Sequence, residues 1–183
     1  MTPDLITFAK GVNSGYVPLG GVLISDTIAA TFADRAFPGG LTYSGHPLAC
    51  AAVVASINVF RQEGIIKHAR QLGTEVIGPE LRALAQRHPC VGQVRGLGVF
   101  WALELVRDRS TREPLVPFNA HGAQAKPMVE FAATCKDQGL WPFVHFNRTH
   151  VVPPCTTSAE EVREGIMILD DALKVADAYY IGH

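Results

Sequence analysis

The sequence has no excess of charge of either sign and few aromatic residues. Its 16 lysines and arginines nearly balance 17 aspartates and glutamates, which gives a formal net charge of −1, and aromatic residues make up 8% of the chain. No basic run is interleaved with aromatic residues. Because nucleic acids and anionic membranes are bound through clustered basic side chains, neither is expected as a partner.

Cysteine and histidine patterns that bind metals are absent as well. The four cysteines, Cys50, Cys90, Cys135 and Cys155, lie far apart and form no C-x-x-C pair. The seven histidines include no pair at metalloprotease spacing with a carboxylate partner. The sequence therefore predicts no metal and a reduced, cytoplasmic environment.

Long apolar runs are also missing. No uninterrupted stretch is long enough to span a bilayer, and the start of the chain, which Asp4 interrupts, does not fit a secretory signal. With 48% hydrophobic and 18% charged residues, the 183-residue chain is expected to bury a core in one or two compact units.

A lysine ends the first apolar run. The run Leu5–Ala9 is typical of a strand, and Lys10 follows it, before a stretch rich in glycine and proline at 11–21. A strand that ends at a loop can deliver an amine into a cleft from a rigid base, as imine chemistry requires. The alternative is a lysine that merely ends a strand at solvent, and Lys10 by itself favours that alternative.

Small hydroxylated residues and glycines precede an apolar helix in segment 39–52. Thr42 and Ser44 offer hydroxyl groups, and the helix that follows offers free N–H groups, a combination suited to an anion. Capping of the helix by Ser44 or His46, with Pro47 in its first turn, explains the same residues. Both interpretations stay open for this segment taken alone.

Four short patterns occur together, at 3–11 (PDLITFAKG), 18–21 (PLGG), 42–49 (TYSGHPLA) and 94–98 (VRGLG). In order and approximate spacing they resemble the class III aminotransferases, pyridoxal-phosphate enzymes of fold type I. The resemblance runs from residue 3 to about residue 180 and covers only the second half of these proteins, so we expect an N-terminally truncated fragment.

The resemblance implies an α/β fold class, in which the remnant of a fold type I large domain is followed by a C-terminal α+β small domain. We expect residues 1–75 to be the end of the large, cofactor-binding domain with a connector helix, and residues 76–183 to be the small domain.

The resemblance also implies roles for two residues toward pyridoxal 5'-phosphate. Lys10 corresponds to the lysine that holds this cofactor as an imine and then moves the proton during catalysis. Thr42 corresponds to the threonine that binds the cofactor phosphate of the neighbouring subunit. A homodimer with shared active sites is therefore expected.

Two arginines are candidates for the anionic group of the substrate. Arg95 lies at a position where relatives that act on glutamate or 2-oxoglutarate bind a carboxylate, a task that suits a bidentate guanidinium. Arg148 is a second candidate, for a carboxylate or a sulfonate. The alternatives are a structural role for Arg95 and, as is commoner for an arginine in a turn, a solvated side chain for Arg148. Segment 140–143, where some relatives carry a mobile arginine, has none. Trp141, Phe143 and Phe146 either line an apolar pocket or, as is commoner, pack in the core.

Hydrophobic periodicity predicts the elements that carry these residues. A helix over 47–63 is apolar nearly all round and should be buried. The remaining elements are a short strand at 22–24, a short helix or loop at 26–33, a helix over 65–84 bent around Gly78 and Pro79, strands at 91–95, 99–106, 140–146 and 150–152, a helix from about 120 or 126 to 138, and a last helix with a Ser158/Glu161 capping box.

The sequence thus favours an aminotransferase that moves an amino group from an ω-amino acid or amine to a 2-oxo acid such as pyruvate or 2-oxoglutarate. The chain alone is expected to be nearly inactive, because the family's acid that protonates the cofactor ring lies upstream of the lysine. The alternatives are other chemistry on the same scaffold, such as an aminomutase or a decarboxylase, and a non-catalytic fragment.

Overall fold

The computed structural model describes residues 2–182. The described chain divides between Gly64 and Ile65 into two compact units, here called unit 1 and unit 2. Among the described residues, no single helix is long and apolar enough to cross a membrane; the helical segments 47–62 and 65–87 meet those criteria only when taken together.

Unit 1 consists of a β-hairpin and two helices. Strands β1 (Leu5–Ala9) and β2 (Gly20–Ile24) pair antiparallel, with Ala9 opposite Gly20 at the loop end of the hairpin. A 3₁₀ turn (Lys10–Val12) follows β1. Helix α1 (Asp26–Ala30) begins after its N-cap Ser25, and α2 (Pro47–Gln62) begins after its N-cap His46. The strand that was predicted to end at Lys10 is thereby observed.

Helix α2 is not buried, contrary to the prediction. Only Ala49 of its residues is buried, whereas Leu48 is 64% exposed and Val54 and Val59 are exposed as well. A two-stranded hairpin and a five-residue helix supply too little apolar surface within unit 1 to cover a sixteen-residue helix. The helix forms where its apolar pattern predicts it, but the rest of unit 1 does not cover its apolar side chains.

Unit 2 begins with a nearly continuous helical segment. Helix α3 (Ile65–Leu72) passes through a π-helical stretch (Gly73–Ile77) into α4 (Gly78–Arg87). Pro79 lacks an N–H group and its ring clashes with the carbonyl four residues earlier, so the wider π turn accommodates it. A Cβ on Gly73 would overlap the carbonyl of Gly98, so this approach requires glycine.

The sheet of unit 2 is antiparallel. Strands β3 (Val91–Leu97), β4 (Phe100–Asp108), β7 (Arg148–Val151) and β6 (Phe143–His145) lie in that order, and the short β5 (Glu113–Pro114) pairs with β4. Helices α5 (Lys126–Asp137) and α6 (Ala159–Asp177) pack against each other. The capping box of Ser158 and Glu161 is confirmed at the start of α6.

One turn differs from the prediction. Residues 147–149 were expected to separate two strands, but Arg148 and Thr149 belong to β7. Asn147 exchanges hydrogen bonds with Leu105 of β4, at 2.7 Å from Leu105 N to Asn147 O and 3.0 Å from Asn147 Nδ2 to Leu105 O. The reversal therefore falls at Phe146, whose φ is +53°.

The hydrophobic core that the structure describes lies in unit 2. It is formed by one face of the sheet and the inner faces of the helices, and its fully buried members include Ile77, Leu81, Leu84, Leu103, Leu105, Phe131, Ala172, Leu173 and Ala176. The other face of the sheet stays open to solvent or half-exposed, and it carries both predicted substrate arginines.

Candidate functional site

Lys10 lies at the end of β1 in an unusual backbone conformation. Its φ is +48°, in the left-handed region, while the preceding Ala9 is fully extended. That conformation costs an L-residue other than glycine about 1–2 kcal/mol. Such strain is common at functional sites, and here it falls on a lysine whose side chain is exposed.

Asn13 holds the loop behind Lys10. Its buried side chain donates from Nδ2 to the carbonyl of Val17 at 2.6 Å and accepts from the N–H of Gly15 at 3.1 Å. Its own N–H donates to the carbonyl of Lys10 at 3.3 Å. Asn13 was not among the predicted site residues, although an asparagine two residues before a glycine is the sequence signal of this turn.

The chemistry of Lys10 fits a carbonyl cofactor. A primary amine is the group that condenses with an aldehyde, and within residues 2–182 no carboxylate forms an ion pair with Lys10. The amine is thus exposed, has no ion-pair partner among the described residues, and lies beside a hairpin loop that the hydrogen bonds of Asn13 hold in place. We conclude that this residue is able to hold such a group.

Thr42 lies in the turn that precedes α2, and it is exposed. The turn closes through Ser44 N and the carbonyl of Leu41 at 2.9 Å. His46 caps α2, because its Nδ1 accepts from the N–H of Leu48 at 3.3 Å, with Pro47 in the first turn. The hydroxyl of Thr42 has no hydrogen-bond partner among the described residues, so it is available to an anion.

The loops after Lys10 and around Thr42 meet at one cavity of unit 1. Its volume is about 490 Å³, and it is lined by Val17–Gly20 together with Leu41 and residues 43–46 and 48–50. Neither Lys10 nor Thr42 is among the lining residues. The two motifs are therefore neighbours in the fold, but the described chain does not bring these two side chains into one cavity.

The open face of the sheet in unit 2 carries two rows of paired residues. Paired residues of adjacent strands point to the same face. The first row contains Arg95, Ala102, His150 and Phe143, and the second contains Gln93, Glu104, Arg148 and His145. The sheet thus brings Arg95 and Arg148 together on one face.

The two arginines have different partners. Arg95 Nη2 donates to Glu104 Oε2 at 2.7 Å, an ion pair between side chains that are both partly exposed. Arg148 Nη2 lies 3.2 Å from His145 Nδ1. A guanidinium only donates hydrogen bonds, so the imidazole nitrogen is the acceptor in this contact. Glu104 and His145 were not predicted, because only the strand register reveals that they face the arginines.

The aromatic residues of segment 141–146 do not pack in the core. Trp141 is 81% exposed, under the ammonium of Lys136 at 4.1 Å from the ring centroid, and Phe143 is exposed too. Both line a cavity of about 520 Å³ beside α6. Phe146 is half-buried against Phe118, with 4.6 Å between ring centroids. The pocket interpretation therefore describes Trp141 and Phe143 better than core packing does.

The cysteines offer no reactive thiol in the core. Burial raises the pKa of Cys135 to about 11 and raises that of Cys90 further, with a contribution from Asp177. Cys50 and Cys155 are exposed and single. Among residues 2–182, no three histidine, cysteine or acidic side chains cluster as metal ligands.

A buried histidine in unit 2 binds two carboxylates. His88 Nε2 lies 2.6 Å from Asp170 Oδ1 and His88 Nδ1 lies 2.7 Å from Asp177 Oδ2. Since both carboxylates accept, both ring nitrogens donate, as in an imidazolium. The hydrogen bond from His88, then the one from Arg87, holds the pKa of Asp170 below its ordinary value. This network ties α4 to α6 and is structural.

Known proteins resemble this chain over nearly its whole length. The chain is 35% identical to 4-aminobutyrate aminotransferase GabT of Escherichia coli over 96% of its residues, and 32% identical to ethanolamine-phosphate phospho-lyase homolog 1 of Caenorhabditis elegans over 93%. A crystal structure of taurine:2-oxoglutarate aminotransferase from Bifidobacterium kashiwanohense, in complex with pyridoxal phosphate and glutamate, has a TM-score of 0.85 and 38% identity over 97% of this chain.

These matches cover a limited part of the other proteins. The chain spans 39% of the E. coli protein, 35% of the C. elegans protein and 39% of the Bifidobacterium chain. The structural similarity confirms the predicted fold class, part of a fold type I large domain followed by an α+β small domain. A sequence model described as Aminotransferase class-III matches residues 1–173, and the chain therefore belongs to the class-III aminotransferase family.

Proposed function

We propose that this protein is a pyridoxal-phosphate-dependent aminotransferase, which transfers an amino group from an ω-amino acid or amine to a 2-oxo acid such as pyruvate or 2-oxoglutarate. The observation that carries the proposal is Lys10. In a chain of this family, the lysine at the expected position is exposed and forms no ion pair with the residues that the structure describes. It lies at a strained strand end, beside a loop that Asn13 holds.

Lys10 and Thr42 are the residues of this chain that we assign to the cofactor. When bound, pyridoxal phosphate supplies an electrophilic aldehyde carbon and a conjugated ring that accepts electrons from the reacting carbon. Lys10 Nζ holds the cofactor between turnovers and carries the proton during the transfer. The hydroxyl of Thr42 binds the phosphate of the cofactor held by the neighbouring subunit, which is the role that the family resemblance implies.

The arginines on the open sheet face suit a substrate with an anionic end. Arg95 and Arg148 provide guanidinium groups, which match the geometry of a carboxylate or sulfonate. The E. coli relative is named for 4-aminobutyrate and the Bifidobacterium relative for taurine. Both donors carry an amine at one end and an anion at the other, and we propose the same class for this protein.

The family resemblance supports the assembly that we propose, and the scattered cysteines support the location. We propose a cytoplasmic homodimer with shared active sites, in which residues 1–75 belong to the large domain and residues 76–183 to the small domain. The exposed apolar side chains of unit 1, among them Leu5, Ile6, Leu48 and Val54, support an interface because a large apolar surface left in water favours association.

The test is cofactor capture by Lys10. The 183-residue chain is mixed with pyridoxal phosphate, reduced with borohydride and digested, and the modified lysines are identified by mass spectrometry. We expect the pyridoxyl group on Lys10 and a visible absorption band that depends on Lys10. The variant Lys10→Arg keeps the positive charge but removes the primary amine, so both signals should disappear.

Lys67 provides the matched control for this test. It is an exposed lysine of α3 without an ion pair among the described residues, and Lys67→Arg should leave the band unchanged. Labelling of Lys67 and Lys10 to the same extent would contradict the proposal, because it would mean that the reagent modifies any accessible amine.

A second candidate function is elimination on the same scaffold. The 32% identity to a protein named as an ethanolamine-phosphate phospho-lyase homologue favours it. The two reactions differ in stoichiometry, because transamination consumes one 2-oxo acid for each amine converted and elimination consumes none. Loss of donor without consumption of 2-oxo acid would favour the second candidate.

A further inference from the structure

Glu104 is the single carboxylate in the two rows of the open sheet face. It lies on β4, with Gln93 opposite it on β3 and Arg148 opposite it on β7. Arg95, on β3, faces Ala102 of β4. Ala102 is two residues before Glu104 on that strand, so Arg95 lies diagonally across from Glu104. One negative charge therefore stands between two arginines.

The carboxylate is committed to one of them. Glu104 Oε2 accepts from Arg95 Nη2 at 2.7 Å. Arg148, although directly opposite Glu104 in the register, forms no ion pair with any carboxylate that the structure describes, and its guanidinium donates to His145 Nδ1 at 3.2 Å. A neutral acceptor orients the guanidinium without cancelling its charge.

Other cations near Glu104 do not change this assignment. Glu104 lines a small cavity of about 230 Å³ with Arg109 and Arg112. The guanidinium of Arg109 is occupied by backbone carbonyls, those of Ala85, His88 and Val91. No ion pair joins Glu104 to Arg109 or Arg112 among the described residues, so Glu104 neutralises Arg95 and no other group.

We propose that Glu104 is a specificity-determining residue, which neutralises Arg95 and so leaves Arg148, oriented by His145, as the arginine on this face whose positive charge is available to the anionic end of a substrate. The inference rests on the proposed function, since it assigns which of two arginines takes the substrate anion. It predicts that this sheet face binds one carboxylate or one sulfonate of a substrate rather than two.

The test measures which arginine responds to an anion, without cofactor and without turnover. Chemical shifts of arginine Nε–Hε groups are recorded on the ¹⁵N-labelled 183-residue chain during titration with methanesulfonate and with glutarate. In the wild-type chain we expect the Arg148 signal to move with either probe and the Arg95 signal to stay.

The variant Glu104→Gln keeps the shape of the side chain and removes its charge. Both arginines should then respond, and glutarate, with two carboxylates, should bind about threefold to tenfold more tightly, the effect of one additional cation at contact distance in a solvated site. Methanesulfonate has one charge and should gain less. Glu113→Gln is the matched control, because Glu113 is paired with Arg107 at 3.6 Å and its loss changes the net charge equally.

Several outcomes would overturn the inference: equal movement of both arginine signals in the wild-type chain, no movement of Arg148, or equal gains from Glu104→Gln and Glu113→Gln. Arg148→Gln keeps the test decisive if Glu104→Gln does not fold, since it leaves the pair of Arg95 and Glu104 in place and should abolish the response to both probes. Failure of Lys10 to capture the cofactor would leave these titrations readable, so the two proposals fail separately.

Discussion

Unit 1 and unit 2 contrast in how their apolar side chains are covered. In unit 2 more than twenty apolar residues form one buried cluster between the sheet and helices α3 to α6. Among the residues of unit 1 that the structure describes, only Ala49 and the polar Asn13 are buried, while the apolar side chains of β1, β2 and α2 are largely exposed. Hydrophobic burial is the main stabilising term of folding, so it contributes much more to the stability of unit 2 than to that of unit 1.

The contrast also separates two kinds of chemistry. Lys10 is the residue proposed to bind the cofactor covalently. Its position is set by local interactions, the end of a hairpin strand and the hydrogen bonds of Asn13, which do not require a large core. Arg95 and Arg148 depend on the register of a packed sheet. We therefore expect changes in the core of unit 2 to disturb the arginines strongly, and changes in unit 1 to disturb the lysine alone.

The largest expected effect comes from the core of unit 2. Phe131 is fully buried, and Phe131→Ala should lower the free energy of unfolding by about 3–5 kcal/mol, through lost burial and the cavity left behind. Leu23→Ala, at an exposed position of β2, should cost less than about 0.5 kcal/mol. Both tryptophans, Trp101 and Trp141, belong to unit 2, so tryptophan fluorescence during urea unfolding reports on that unit.

The outcome would sharpen or break the comparison between the units. A fluorescence midpoint that moves with Phe131→Ala and stays with Leu23→Ala would agree with a unit 2 that is stabilised by its own core. Equal losses from the two substitutions would contradict that view. Amide hydrogen exchange, expected to be faster in β1 and α2 than in β4 and α6, provides a second measurement.

Local patterns in the sequence were sufficient for much of this fold. The strand end at Lys10, the capping box at Ser158 and the strands flanking the Gly98 turn were predicted from neighbouring residues alone, and the structure confirms them as structural features. These features depend on interactions within a few residues, and a sequence displays such interactions directly.

Features that depend on distant residues were not predicted. The exposure of α2 is decided by what surrounds the helix, which periodicity does not report. The strand β7 begins at Arg148 because Asn147 bonds Leu105, forty-two residues away. A shift of strand register by one residue reverses every side chain, so the alignment of Glu104 with Arg148 required the structure. The roles of Lys10, Thr42, Arg95 and Arg148 stay predictions.

The second prediction concerns the His88 network of unit 2 and its dependence on pH. His88→Ala should lower the free energy of unfolding by about 2 kcal/mol at pH 7, which is less than the roughly 3–5 kcal/mol expected when a fully buried ion pair is broken. The discount applies because Asp170 and Asp177 keep 35% and 23% of their side chains exposed, so water can solvate them.

The sign of the pH effect follows from Asp170. The His88 hydrogen bond depresses its folded pKa, so the stabilisation is present above the unfolded pKa of about 3.9 and is lost as the pH falls through the folded value. The difference between wild type and His88→Ala should therefore narrow below about pH 4 in urea unfolding. His68→Ala is the control. His68 Nε2 contacts the uncharged carbonyl of Thr157 at 2.9 Å, so the change in the free energy of unfolding that this substitution causes should not narrow below about pH 4 in the same way.

The smallest expected effect compares two serine caps, one in each unit. Ser158 Oγ accepts from the N–H of Glu161 at 3.2 Å at the start of the nineteen-residue α6, and Ser25 Oγ accepts from that of Ile28 at 3.4 Å at the start of the five-residue α1. Ser158→Ala should lower the free energy of unfolding of unit 2 by about 1 kcal/mol, while Ser25→Ala should leave the tryptophan midpoint unchanged.

The carboxyl of Glu161 gives this last comparison a second readout. Its pKa is lowered first by the backbone N–H of Ser158, at 2.8 Å, and only then by the Ser158 hydroxyl. Alanine keeps the backbone N–H, so in Ser158→Ala the pKa of Glu161, followed by NMR, should stay below its ordinary value although α6 has lost half of its capping box. Return of that pKa to its ordinary value would mean that the serine hydroxyl organises the whole cap, and that the cost of the substitution lies in both hydrogen bonds rather than one.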